Sequence, residues 1–75
     1  MKILIQEIPT RRYYRAAGVW TGDIREASDF HTGSAALEVV QRSHLHNVQL
    51  IATQDFKDYQ VFPLSHAAAA NGTHS

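Results

Sequence analysis

Trp20-Thr21-Gly22-Asp23-Ile24-Arg25-Glu26-Ala27-Ser28-Asp29-Phe30 decides the fold of this chain, because it separates two kinds of periodicity. Before it, apolar residues alternate as in strands. After it comes a helical pattern carrying Ala36, Leu37 and Val40. The single Trp stands at that junction, where a large aromatic marks the meeting of sheet and helix in a small core. Gly22-Asp23 predicts a turn with an N-cap. Ile24, Ala27 and Phe30 recur at a spacing of three, which predicts a short helical turn.

Upstream, residues 2–8 predict a strand with Ile3 and Ile5 on one face and Leu4, Gln6 and Ile8 on the other. Pro9-Thr10 breaks it, and residues 12–17, with Tyr13 and Tyr14, predict a second strand paired as a hairpin. Downstream, Thr32 or Ser34 caps a helix with Ala36, Leu37, Val40 and His44 on its inner stripe, closed by His44-Leu45-His46-Asn47. Glu38 and Arg42 form a favourable i,i+4 pair on its outer face. Residues 48–54 and 59–64 predict two further strands around the polar turn Gln54-Asp55-Phe56-Lys57-Asp58.

The expected fold class is α+β: two β-hairpins joined by a helical segment, with the helix packed on one face of a four-stranded antiparallel sheet. Residues 1–64 read as a single domain, and 65–75 as a flexible Ala-rich tail containing His66 and His74. Burial of Ile3, Ile5, Trp20, Phe30, Leu37, Val40, Leu50 and Val61 is expected to supply most of the stability, each large side chain contributing on the order of 1.5–3 kcal/mol.

The residues Tyr14, Trp20-Thr21, Ala27, Phe30, Ala36, Asn47-Val48 and Tyr59 together make a recurring set. On them the chain resembles a group of small uncharacterised bacterial proteins with a Trp-Thr motif, an Ala-x-x-Phe motif and a C-terminal Tyr strand. The resemblance covers residues 1–64, implies the fold and brings no activity with it. Gln60 departs from it, since an acidic residue often follows the last Tyr in that group.

Seven basic residues balance seven acidic ones in 75 residues, so overall charge does not draw the chain to nucleic acid or to an anionic membrane. There is no Cys, which excludes disulfides and thiolate metal sites. The apolar run at 3–5 is too short for a signal-peptide core, and no run approaches a membrane span. The expected location is the cytoplasm.

Catalysis finds little support. Ser28, Ser34 and Ser43 lack a nucleophile-elbow context, Gly18, Gly22 and Gly33 are too dispersed for a phosphate loop, and Glu26 and Asp29 read as an exposed acidic face. His44-x-His46 is the best metal candidate, but two imidazoles make an incomplete ligand set, so no metal and no cofactor is expected. Instead both strand faces carry apolar residues, and one helix covers only one of them. The expectation is a non-enzymatic protein-protein interaction module, a small accessory or regulatory subunit whose exposed sheet face, through Leu4, Ile8, Ile51, Phe56 and Phe62, docks on another protein or a second copy. The alternative is a small single-stranded nucleic-acid-binding protein using Arg11, Arg12, Tyr13 and Arg15 in the first hairpin, with guanidiniums on phosphates and an aromatic under a base.

Overall fold

A computed structural model describes residues 1–64; the expected Ala-rich tail, with His66 and His74, lies outside the described residues. The elements are β1 (Lys2–Glu7), β2 (Tyr13–Ala16), β3 (Val19–Thr21), a 3₁₀ turn (Ile24–Glu26), α1 (Gly33–Arg42), β4 (Val48–Thr53) and β5 (Tyr59–Pro63). They form an α+β fold with one helix and a five-stranded antiparallel sheet ordered β3-β2-β1-β4-β5.

The sheet has one strand more than expected. Ala17-Gly18 is a tight turn rather than a loosening of the chain: Gly18 takes a φ of 74°, open to glycine, and Ala16 pairs with Val19 across it. Trp20 thus lies on a third strand opposite Tyr14, with their rings edge to face at 5.5 Å. After the helix, β4 inserts beside β1 in a six-pair register from Lys2↔Thr53 to Glu7↔Val48, and β5 closes the far side.

The helix face of the sheet carries Ile5, Tyr14, Val48 and Leu50, and Ala36 of α1 is fully enclosed against them. Ile3, Trp20, Phe30, Val39, Val40, Leu45 and Leu64 complete this cluster. Thr32 caps α1, its hydroxyl accepting the Ala35 N–H at 3.1 Å. Two details of the helix differ from expectation. Leu37 points outward and its place is taken by Val39, because positions 36, 39 and 40 share the stripe that faces the sheet. The helix also stops at Arg42: the Leu45 N–H reaches back to the Val40 carbonyl (3.0 Å) and His44 N–H to that of Gln41 (3.3 Å), with His44 in the left-handed region at φ 52°.

The opposite face is covered over its centre, at Leu4, Tyr13 and Ile51, which overturns the expectation that Leu4 and Ile51 lie bare there. Ile24 and Ala27 fold over Leu4, Tyr13 and Ile51. The spacing of three marks a short helical turn, as expected, but a shorter one than Ile24 to Phe30. Only residues 24–26 are helical, and Ala27 is already extended. Ile24 and Ala27 then pack on one face of the sheet, while Phe30 packs on the other. Between them the chain runs beside β1: Ser28 N–H donates to the Tyr14 carbonyl (3.0 Å) and Phe30 N–H to that of Ile3 (2.9 Å). Residues 28–30 therefore bridge β2 and β1 where those strands diverge, since the two pair only at Gln6↔Tyr13.

Candidate interaction surface

The residues expected to contact a partner separate into three environments. Leu4 and Ile51 are sealed within the opposite-face cluster, at 1% and 0% exposure, and present nothing to a partner. The covering segment 24–27, whose apolar residues are small in number but well placed, is the physical reason. Ile8 is half-buried, its N–H held by the Asn47 carbonyl at 2.8 Å. Phe56 is half-buried under Lys2, whose ammonium lies 5.1 Å from the ring centroid. Phe62 alone is well exposed, and sequence reading missed its two exposed neighbours. Tyr59, Val61 and Phe62 stand at 48%, 42% and 47% exposure.

All three lie on β5, every residue of which is exposed. The hydrogen-bond parity of the sheet fixes what this strand offers. Ile8 N–H bonds to Asn47, whereas Glu7 N–H bonds to Arg12 and the Ile3 carbonyl to Phe30. Even-numbered residues of β1 therefore face β4 and odd-numbered ones face away. Alternation across the antiparallel register carries through β4, so that Leu50 and Ala52 turn their peptide groups to Phe62 and Gln60. The peptide groups of Tyr59, Val61 and Pro63 consequently point outward, along an edge against which no other described strand is paired. Pro63, lacking an N–H, sits where that loss costs the sheet no ladder bond. The signal was present in sequence as an uncharged Tyr-Gln-Val-Phe-Pro run ending in proline, but strand order was needed to read it as an edge.

The first hairpin distributes its residues differently. Tyr13 is buried on the opposite face and Tyr14 on the helix face, so neither ring is free to stack on a base. Arg11 and Arg12 are exposed, with Arg11 in the left-handed region at φ 63°. Arg15 lies 3.6 Å from Glu26. Burial pushes the Tyr13 phenol above its ordinary value, with a smaller push from Tyr59 and an opposing pull from Arg11.

Next to β5, an open hollow of about 360 Å³ is bordered by Met1, Thr53, Asp55, Asp58, Tyr59 and Gln60. Its carboxylate Asp55 accepts the N–H groups of Asp58 (3.0 Å) and Lys57 (2.9 Å), which hold it below the usual carboxylate range. An ionised turn-capping carboxylate of this kind organises the loop and is badly matched to general-acid work near neutral pH. His44 and His46 are both exposed, and among the described residues no three His, Asp or Glu side chains gather to hold a metal.

Fold and surface together define a small α+β protein whose longer sheet edge, β5, is exposed along all five residues and carries no charge. Among the described residues no helix is long and apolar enough to cross a membrane. Comparison with protein-family models, with curated proteins and with solved structures gives no match.

Proposed function

We propose that the chain is a non-enzymatic protein-protein interaction module, a small accessory or regulatory subunit, and that its docking element is the outer edge of β5 rather than a sheet face. The observation that supports this is the joint exposure of Tyr59, Val61 and Phe62 on a strand with no charged residue. Sheet edges are normally protected by charge, a bulge or very short length. The other edge, β3, follows that rule: it has three residues, and its register against β2 shifts between Tyr14 and Ala16. β5 has five residues, two outward N–H donors and apolar side chains on both flanks. That combination suits strand addition, in which peptide bonds give affinity and alternate side chains give selectivity.

The test is partner capture by the full chain from its native cells, compared with Val61→Lys and with Arg11→Ala. Capture that is lost with Val61→Lys and kept with Arg11→Ala is the expected result. Capture indifferent to position 61 would place the function elsewhere on the surface.

A further inference from the structure

The β5 edge is complementary to itself, and we infer that its occupant is a second copy of this chain, paired antiparallel about a two-fold axis through Val61. This deepens the interaction-module reading and rests on it.

The outward peptide groups of Tyr59, Val61 and Pro63 determine the register. With Val61 on the axis, each Val61 N–H donates to the Val61 carbonyl of the other copy. Each Tyr59 N–H donates to the opposite Pro63 carbonyl. Four hydrogen bonds form, both outward donors of each strand are used, and the donor that Pro63 lacks is missing opposite one carbonyl in each copy, that of Tyr59.

Side chains agree with that register. Val61 pairs with Ile51 and Tyr59 with Thr53, so both belong to the face opposite the helix; there Val61 would meet its own copy and Tyr59 would meet Pro63. Phe62 pairs with Leu50 and belongs to the helix face, where it would lie across from Gln60 and diagonal to the other Phe62. No like charges are brought together, because Tyr-Gln-Val-Phe-Pro contains none, and a formal net charge of zero leaves no long-range repulsion between copies. A charged partner strand, by contrast, would find no countercharge on β5. The pairing is isologous, so it closes at two copies: the ten strands form one sheet with the short β3 edges at its ends.

The experiment is sedimentation velocity on the full chain from micromolar to millimolar concentration, with amide exchange followed over the same range. Self-pairing predicts a monomer–dimer shift and exchange at Tyr59 and Val61 that slows with concentration, while Gln60 and Phe62 are protected throughout. Val61→Pro removes the outward donor and the Val61 side-chain contact while leaving the ladder to β4 without a lost bond, and should raise the dimer dissociation constant by at least about tenfold. Val61→Lys and Val61→Glu should each dissociate the dimer, and an equimolar mixture of the two should restore it, because position 61 faces itself. This mixing arm decides the matter even where the proline variant folds poorly. A chain that stays monomeric, with Tyr59 and Val61 exchange independent of concentration, overturns self-pairing, whereas partner capture sensitive to position 61 would still uphold the wider reading. A dimer that survives both like-charged variants also overturns it.

Discussion

The carboxylate of Asp29 accepts the backbone N–H of Ile3 at 3.1 Å, standing in for the neighbouring strand that β1 lacks at that point. β2 has already diverged from β1 there, and without Asp29 the Ile3 N–H would be left without a partner beside the core. The same oxygen also accepts the His31 N–H at 2.8 Å, which steers the chain into the cap of α1. Asp29→Ala is therefore expected to destabilise the fold by about 1–2 kcal/mol, the cost of stranding a part-buried donor. Asp29→Asn, which keeps an acceptor, should lose less. Chemical denaturation of the three proteins checks this; equal stability of the wild type and Asp29→Ala would show that the bridge does not matter.

The same carboxylate gives stability an acid limb. Burial alone would raise the Asp29 pKa, but the N–H groups of His31 and Ile3, with the charges of His31 and Lys2, outweigh it and leave the group below its ordinary value. A depressed folded pKa means that the stabilisation is complete above the unfolded value of about 3.9 and is lost as pH falls through the folded one. Tyr13 acts at the other end. Its raised pKa leaves stability intact up to about pH 10 and erodes it above, as the unfolded phenol ionises first. Thermal melts across pH should show both limbs. Asp29→Asn should make the acid limb shallower, leaving the part that Asp55 supplies, and Tyr13→Phe should flatten the alkaline one.

Much of this architecture is legible in the sequence, and the failures share a cause. Strand faces follow from alternation in β1 and β4, with Ile3, Ile5, Val48 and Leu50 on one side and Leu4 and Ile51 on the other. On β5 the expected sides are exchanged: Phe62, expected beside Leu4 and Ile51, stands opposite Leu50, and Val61, expected in the helix-side core, stands opposite Ile51. The caps Asp23 and Thr32 and the Glu38–Arg42 ion pair at 2.6 Å are local and equally readable. The short helical turn expected from Ile24, Ala27 and Phe30 is present at residues 24–26, but the spacing hides that the chain then passes between β1 and β2, which no local period encodes. Once that path is missed, the second face looks uncovered and Leu4 and Ile51 look available. The same holds for Val61, counted as core although it lies on the outermost strand; its exposure depends on strand order.

Leu4 and Phe62 offer a direct contrast between these two readings. Leu4→Ala and Ile51→Ala empty enclosed sites and should each cost about 2–5 kcal/mol. Phe62→Ala, on the exposed strand, should stay within about 1 kcal/mol of the wild type. Binding should sort the other way: Phe62→Ala weakens association, while a Leu4→Ala chain that remains folded associates normally. Denaturation midpoints beside sedimentation data on the same samples give both numbers. A Phe62→Ala change as costly to folding as Leu4→Ala would mean that β5 is covered in the isolated chain.

His44 occupies the position after the α1 cap that glycine usually fills. Its φ of 52° is sterically costly for a residue with a Cβ, and its side chain is exposed, with no hydrogen bond or ion pair among the described residues to compensate. The motif itself is fully formed: the Leu45 N–H meets the Val40 carbonyl, and Leu45 joins the cluster containing Val40. His44→Gly keeps both features and removes the Cβ clash, at the expense of a more flexible unfolded chain. The balance should be a gain of about 0.5–1 kcal/mol. His44→Ala retains the clash and should give no comparable gain. Parallel thermal and denaturant unfolding of the two variants is the check, and a loss of stability in His44→Gly would show that the imidazole makes a contribution the backbone geometry does not reveal.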